Sequence, residues 1–195
     1  MIHDDLARIA AHRAAGSWGD DTVDDLFREA VAARPGETAL VDPANRAELG
    51  MGPATRLTWA ELDALVDRYA TGLLAHGVGR DDIVMIQLPN VVELIATYLA
   101  VGRLGAILSP VPVQYRAHEL RYVIDLAEPK AFITTNRFEG FDHLELARQL
   151  RATAPKPLTV IGDAADPGTL PEDVVPLAAL LATPRSEEHT SELQS

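Results

Sequence analysis

Residues 88–115 read LPNVVELIATYLAVGRLGAILSPVPVQY, and the fold class can be inferred from this stretch. Asn90 and Glu93 have the spacing of a capping box, so the sequence predicts a helix that begins at Asn90. Apolar residues then recur at three- and four-residue steps with little polar surface opposite them, which predicts a helix buried on more than one side. Gly105 is expected to end this helix in the left-handed conformation.

A strand is predicted on each side of this helix. Residues 83–88, IVMIQL, precede it, and residues 106–108 follow it as a short continuous apolar run, the pattern of a strand covered on both faces. Pro110 and Pro112 then fix φ and remove two amide donors. The second strand therefore cannot continue as a central strand, and the chain must leave the sheet here.

The rest of the chain continues the alternation of strands and helices. Thr58 and Glu61 form another capping box at the start of a predicted helix that Gly77 ends. Further helices are predicted at residues 1–15, 22–34, 118–127, 142–151 and 174–181, and further strands at residues 38–41, 56–57, 131–134 and 158–161. This order predicts an α/β fold with a mostly parallel sheet and helices on both faces.

Two connecting segments carry specific expectations. Residues 42–55, DPANRAELGMGPAT, are turn-forming and charged, so they are interpreted as an exposed loop between two short strands. Residues 16–21 form a turn whose Trp18 is expected to dock on the body of the domain.

Composition excludes several classes of function. With 195 residues, 47% of them hydrophobic, the chain can bury a sizeable core, and the absence of cysteine excludes disulfides, thiolate metal sites and a cysteine nucleophile. A net charge of −12 without clustered Lys and Arg argues against nucleic-acid binding. No apolar run reaches the roughly 18 residues of a membrane span, and no secretory signal is recognisable, so a cytoplasmic location is expected.

The glycines of the central stretch do not predict a nucleotide site. Gly102 and Gly105 lie at the end of a helix, whereas dinucleotide-binding glycines lie between a strand and a helix start. Helix packing and capping is the preferred interpretation of both residues. The sequence also contains no phosphate-loop lysine motif, no GxSxG and no HExxH.

Three histidines and one tyrosine are candidates for a functional site, and the sequence favours another role for each. His118 and Glu119 at a helix start favour a solvated helix end over an acid–base pair, and His76 favours a helix C-cap. His143 lacks the further ligands that a metal site needs. Tyr115 is placed where a residue could line a cleft at the carboxyl edge of the sheet, but packing is the preferred interpretation. The sequence therefore predicts no catalytic, cofactor-binding or metal-binding residue.

The last eleven residues, 185–195, read RSEEHTSELQS and differ abruptly from the apolar segment before them. They resemble the translation of a sequencing-library adapter, so they are interpreted as an artefact and left out of fold reasoning. The natural protein is accordingly expected to be longer than this chain.

Residues 56–134 resemble the N-terminal part of the adenylate-forming enzymes, which include acyl-CoA synthetases, aryl-acid ligases and peptide-synthetase adenylation domains. The residues similar to the first core motif are Leu57, Thr58, Trp59, Glu61 and Leu62, and those similar to the second are Leu99, Gly102, Gly105, Ala106 and Pro110, with Arg103 where the family often has Lys or Arg. Peptide-synthetase domains often have Asp where this chain has Pro112, which points to acyl-CoA or aryl-acid ligases. The resemblance covers about residues 16–165.

The resemblance implies a fold, a reaction and its cofactors. The fold is an incomplete N-terminal subdomain, with residues 1–15 as an extension and residues 16–184 as a truncated AMP-binding domain. The reaction joins a small-molecule carboxylic acid to coenzyme A through an acyl-adenylate, with ATP and Mg²⁺. The family's phosphate loop, nucleotide contacts and catalytic lysine lie downstream, so the 195-residue chain is expected to be inactive and to bind none of these cofactors well.

Two alternatives stay open at this point. One is an aryl-acid–AMP ligase that loads a carrier protein. The other is a non-catalytic α/β module that binds a partner through the sheet edge left unpaired by truncation. Exposed apolar edges and aggregation are expected of the fragment.

Overall fold

The computed structural model describes residues 5–182, which form six α-helices and nine strands. The helices are α1 (Leu6–Ala14), α2 (Val23–Ala33), α3 (Trp59–Ala75), α4 (Val92–Arg103), α5 (Ala117–Ala127) and α6 (His143–Arg151). The strands are β1 (Thr38–Val41), β2 (Arg56–Thr58), β3 (Ile83–Gln87), β4 (Ile107–Pro110), β5 (Ala131–Thr135), β6 (Arg137–Phe138), β7 (Phe141–Asp142), β8 (Thr159–Asp163) and β9 (Val175–Pro176). Two 3₁₀ helices cover Pro167–Thr169 and Leu177–Ala182.

The centre of the fold is a five-stranded sheet in the order β4-β3-β5-β8-β9, with all neighbours parallel. Alternate residues of the strands point to opposite faces. Val84 and Ile86 of β3 join the core beneath α3 and α4, whereas Met85 joins a second core beneath α5 and α6. The predicted α/β class, the parallel sheet and the helices on both faces are therefore confirmed.

Local signals predicted most helix ends correctly. Thr22 caps α2 and Thr58 caps α3, each in a capping box, with Asp25 and Glu61 as the reciprocal partners. Gly77 and Gly105, which follow α3 and α4, have φ values of +81° and +65°, as predicted for glycine at helix ends.

The predicted capping box of α4 is wrong. The N-cap residue is Val91, which makes no side-chain cap hydrogen bond, and Asn90 lies outside the helix. The Val92 amide instead donates to Oδ1 of Asp42 at 2.8 Å, and Glu93 binds the guanidinium of Arg46. A carboxylate from the loop between β1 and β2 thus replaces the local cap.

The strand after α4 also differs from its prediction. It covers Ile107–Pro110 and lies at the edge of the sheet, where it is half-buried rather than covered on both faces. Val111 donates the next backbone hydrogen bond to Ile86, so the missing N–H of Pro110 faces away from β3 and costs no bond of the sheet. The chain then leaves the sheet, as expected.

Three further predictions need correction. The loop at residues 42–55 is not simply exposed, because Asp42, Arg46 and Met51 are buried. Trp18 stacks on His12, with ring centroids 4.8 Å apart, and is 43% exposed because α1 offers no buried residue to dock against.

The predicted helix at residues 174–181 is instead β9 followed by a 3₁₀ helix. Val175 and Pro176 pair with Ile161 and Gly162, and a β-branched residue before a proline favours an extended backbone.

A short hairpin was not predicted. β6 and β7 pair in an antiparallel manner around Glu139 and Gly140, both of which have positive φ. No helix among residues 5–182 is long and apolar enough to cross a membrane. Residues 183–195, which include the segment interpreted as an artefact, lie outside the described residues, so that prediction stays untested.

A buried arginine ties α4 to two other helices. The Arg103 side chain is fully buried and donates to Asp24 at 2.9 Å, Asp63 at 2.8 Å and Asp67 at 2.6 Å. Asp24 lies in α2 and the other two carboxylates lie in α3, so one guanidinium joins three helices. Removing it leaves three partly buried carboxylates without this partner.

We predict that Arg103→Ala lowers the free energy of unfolding by about 3 kcal/mol, the cost of breaking a buried ion pair from one side. Arg103→Lys should lose less, since an ammonium keeps the charge but not the three-way fork. Urea unfolding at pH 7 measures both. Lys156→Ala, which removes an exposed partner of Glu128, is the control and should have little effect. Equal losses for Arg103→Ala and Lys156→Ala would contradict the role of Arg103.

Candidate functional site

Polar residues, three of them buried and Asp163 half-buried, gather at the carboxyl ends of the parallel strands. Gln87 ends β3, Thr134 and Thr135 end β5, and Asp163 ends β8, each after apolar residues of its strand. Ligands of open α/β sheets bind at this edge, where connecting loops meet. The polar residues therefore mark the carboxyl edge as the candidate site.

A cleft of about 660 Å³ opens beside the ends of β3 and β4. Its wall is formed by residues 88–90, residues 110–114 and the tip of the β6–β7 hairpin, together with Asn45 and Tyr98. The polar side chains in the wall carry the amides of Asn45, Asn90 and Gln114, the hydroxyl of Tyr98 and the carboxylate of Glu139, and none of the described lining residues is Lys or Arg. This wall suits an uncharged ligand rather than a phosphate chain.

One ion cluster holds the loop between β1 and β2 beside this cleft. Nη1 of Arg46 lies 3.0 Å from both carboxylate oxygens of Asp42 and 2.6 Å from Oε2 of Glu93, while Nη2 lies 2.8 Å from Oε1 of Glu93. The Asp42 side chain is fully buried, and it also accepts from the amides of Thr55 at 2.9 Å and Val92 at 2.8 Å. The hydrogen bonds that Arg46 donates to Glu93 raise the pKa of Arg46 above its ordinary value.

A second, smaller cavity of about 280 Å³ lies on the other side of this cluster. Arg46, Tyr69, Glu93 and Asp163 line it. Burial raises the pKa of Tyr69, and burial, followed by the nearby charge of Glu93, raises the pKa of Asp163 to about 6. Asp163 is therefore a carboxyl group that changes charge near neutral pH.

The candidates weighed from the sequence do not meet in one site. Gly105 follows the C-terminus of α4, as predicted. Gly102 is not required for close helix packing, because a Cβ added there would meet no atom within 4 Å. Glu119 accepts from the Arg116 amide at 3.0 Å, so the region around His118 is the solvated helix start that was predicted. His76 is the C-cap residue of α3, also as predicted.

The structure gives His143 and Tyr115 surroundings that the sequence did not predict. His143 is buried and contacts two backbone carbonyl oxygens, Nε2 to Val113 at 2.9 Å and Nδ1 to Phe141 at 3.3 Å. Tyr115 is 37% exposed and does not line the cleft, although its neighbour Gln114 does.

The described residues do not fit a triphosphate–magnesium site by themselves. The cleft wall has no basic side chain, and residues 5–182 contain no group of three or more His, Asp or Glu placed to hold a metal ion. Arg46 is already bound to two carboxylates.

Comparison with known proteins decides the family. A sequence model of the AMP-binding enzyme family matches residues 27–191, most of the chain. The chain belongs to this family.

The relatives of this AMP-binding family member include ligases for aryl and for fatty acids. The chain is 33% identical over 183 residues to the 2,3-dihydroxybenzoate-AMP ligase of Bacillus subtilis, covering 93% of this chain and 30% of the relative. It is 34% identical over 161 residues to the salicyl-AMP ligase / salicyl-S-ArCP synthetase of Mycobacterium tuberculosis, and the match covers 83% of this chain and 27% of the relative. It is 28% identical over 155 residues to the medium-chain fatty-acid–CoA ligase of Escherichia coli, and the match covers 80% of this chain and 26% of the relative.

Solved structures show the same fold. The apo structure of Mycobacterium smegmatis MbtA superposes with a TM-score of 0.74 at 27% identity, covering 94% of this chain and 32% of that one. The chain thus spans about 30% of the length of the curated relatives that it matches.

The motif residues of this AMP-binding domain are structural where the structure describes them. Thr58 and Glu61 form the cap of α3, and Trp59 packs against Phe27 with ring centroids 6.0 Å apart. Arg103 joins helices α2, α3 and α4 through its carboxylate partners. Of the motif residues, Pro110 lines the cleft at the carboxyl edge, and the others named here do not.

The residues that organise this edge were not found from the sequence. Asp42 and Arg46 were assigned to an exposed loop, Glu93 to a local cap, and Gln87 and Asp163 were not considered. Two weak signals were available. Asp42 and Asp163 each end or follow an apolar strand, and Arg46 lies four residues after Asp42, the spacing of an ion pair.

We predict that Asp163 makes stability depend on pH. Because its pKa is raised from 3.8 to about 6 in the folded state, the folded chain binds this proton more tightly, and stability falls as the pH rises through that window. Asp163→Asn should remove that fall and raise the free energy of unfolding at pH 7 by about 2 kcal/mol.

Urea unfolding between pH 4 and pH 8 measures this effect. Asp125→Asn, an exposed substitution on α5, is the matched control and should keep the pH dependence of the unchanged chain. An unchanged pH dependence in Asp163→Asn would contradict the assignment.

Proposed function

We propose that this chain is the N-terminal part of an ATP-dependent acid–thiol ligase. In that reaction a carboxylate oxygen attacks the α-phosphorus of ATP and pyrophosphate leaves; a thiol sulfur then attacks the acyl carbon and AMP leaves. The observation that carries the proposal is the match of the AMP-binding family over residues 27–191. The described residues supply scaffold and one wall of a cleft, and we assign no step of the reaction to any of them.

Coenzyme A is the first candidate for the thiol. Pro112 stands where peptide-synthetase domains often have Asp, and the fatty-acid–CoA ligase of Escherichia coli is among the relatives. The acid would then be a small carboxylic acid joined to coenzyme A.

An aryl acid passed to a carrier protein is the second candidate. It is favoured by the two relatives named for 2,3-dihydroxybenzoate and salicylate, which share 33% and 34% identity with this chain, and the second of which is also named for an ArCP product. The two candidates share the adenylation step and differ in the acceptor.

A non-catalytic binding module is the rival outside the ligases. β4 is an edge strand, and a groove of about 360 Å³ beside it is lined by apolar residues that include Ile95, Leu99 and Leu108. Reading the genomic DNA beyond the codon for Pro184 separates the two proposals. A phosphate-loop sequence there supports the ligase, and an immediate stop codon supports the module.

We predict that the 195-residue chain does not exchange pyrophosphate into ATP, because its described residues do not form a triphosphate site. The whole protein should exchange it when a matching acid is present. Salicylate, 2,3-dihydroxybenzoate and octanoate are suitable acids, with an assay lacking acid as the control.

Thioester formation with coenzyme A or with an added carrier protein then identifies the acceptor. Exchange by the 195-residue chain would contradict the assignment of the active site to a later part. No exchange by the whole protein with any of a broad set of acids would contradict the proposed function.

A further inference from the structure

The segment Val111–Tyr115, here called the rim loop, forms one wall of the cleft with few backbone donors of its own. Pro112 has no N–H. Val111 donates to Ile86 at 2.9 Å, and Tyr115 closes a turn by donating to the carbonyl of Pro112 at 3.1 Å. The carbonyl oxygen of Pro112 thus accepts one backbone bond, and side chains provide further donors to the carbonyl oxygens of the loop.

Side chains from three separate elements supply those donors. Nε2 of Gln87, at the end of β3, donates to the carbonyls of Pro112 at 2.9 Å and Tyr115 at 3.2 Å. Nη1 of Arg116 donates to those of Val113 at 2.7 Å and Tyr115 at 2.9 Å. Nε2 of His143, the first residue of α6, lies 2.9 Å from the carbonyl oxygen of Val113. Gln87 and His143 are both buried, so water does not compete for these bonds.

Two of these three donors also contact the β6–β7 hairpin: the Arg116 guanidinium lies 3.9 Å from the centroid of the Phe141 ring, and the His143 ring packs against two aromatic residues. The imidazole lies edge-on to Phe141, with centroids 4.9 Å apart, and to Phe138, with centroids 6.4 Å apart. Phe138 and Val113 both line the cleft. His143, from its buried position, and Arg116 therefore both connect the rim loop to the β6–β7 hairpin, and only the His143 ring also contacts Phe138, which lines the cleft.

The hydrogen bond to Val113 also determines where the ring carries its proton. Carbonyl oxygens only accept, and each ring nitrogen faces one, so the shorter contact, 2.9 Å at Nε2 against 3.3 Å at Nδ1, assigns the proton of a neutral ring to Nε2. A ring with its single proton on Nδ1 would place two lone pairs against each other at Nε2 and lose the contact.

We propose that His143, with its proton on Nε2, is a positioning residue that holds the rim loop and so sets the width of the cleft. Gln87 supports the same loop from β3. The relevance of the cleft to ligand binding rests on the proposed function, whereas the positioning itself is a property of this chain.

Three substitutions on the full chain test the proposal by residue-level amide hydrogen exchange. His143→Phe keeps a ring but has no donor. His143→Gln places an amide nitrogen close to the position of Nε2, and His143→Asn places it near Nδ1, too short to reach Val113. Exchange at the Tyr115 amide should be about tenfold faster in His143→Phe and His143→Asn, and close to that of the unchanged chain in His143→Gln. The Ile133 amide in β5 is the control and should not change.

Either of two results overturns the proposal: unchanged exchange at Tyr115 in His143→Phe, or equal rescue by Asn and Gln. If a variant does not fold, the proposal is tested on the unchanged chain instead. A long-range proton–nitrogen NMR correlation spectrum of the His143 imidazole shows which ring nitrogen carries the proton. A proton on Nε2 supports the proposal, and a neutral ring with its proton on Nδ1 overturns it. Neither measurement depends on catalysis. A negative result here would therefore not contradict the proposed ligase function, and an inactive whole protein would not contradict the positioning role of His143.

Discussion

The carboxyl edge of this domain depends on the ion pairs that the guanidinium of Arg46 makes. This guanidinium binds Asp42 in its own loop and Glu93 in the first turn of α4, 47 residues further along the chain. The same Asp42 accepts from the amide of Val92, so a loop, a strand end and a helix start share one buried carboxylate. Burying these charges is costly, and it is tolerated because each charged group has several partners at close distance. Removing Arg46 would leave the buried carboxylate of Asp42 without a charged partner.

This cluster explains why the domain has a defined cleft instead of a loose edge. The loop that carries Arg46 also supplies Asn45 to the cleft, and α4 supplies Tyr98. Because the ion cluster fixes the loop against the helix, these wall residues keep a set position relative to the ends of β3 and β4. On the other side of the sheet edge, the rim loop is held by side-chain donors to its carbonyls. Both walls are therefore positioned by polar contacts, while the strands beneath them are positioned by apolar packing.

The parts of the fold that local patterns encode could be predicted from the sequence, and the parts that depend on distant partners could not. Thr58 and Glu61 lie three residues apart, so their capping box is visible in the sequence, and the strand–helix alternation predicts the parallel sheet. Asn90 and Glu93 show the same spacing, yet Asp42 takes over the cap from 50 residues away. The burial of β4 was also predicted wrongly, because apolar composition does not reveal that a strand has a neighbour on one side only.

The candidate site was less predictable than the fold for a related reason. Charged residues in a turn-forming segment are usually solvated, so Asp42 and Arg46 were assigned to an exposed loop. Their burial follows from Glu93, which a local pattern had assigned to another role. His143 was considered as a metal ligand and dismissed, whereas its partners are backbone carbonyls, which no side-chain pattern can reveal.

The two arginine clusters together account for the position of α4, the helix in the middle of residues 88–115. Its N-terminus faces the carboxylates of Asp42 and Glu93, and its C-terminus carries Arg103, which binds three further carboxylates. Negative charge at the start and positive charge at the end of a helix both interact favourably with its dipole. Each end of the helix is thus held by ionic contacts with other elements of the fold. These contacts help to fix the rotation of the helix and its height above the sheet. Residues of this helix that resemble the family's motif, such as Arg103, thus have a structural role in placing the cleft walls that α4 and its neighbours form.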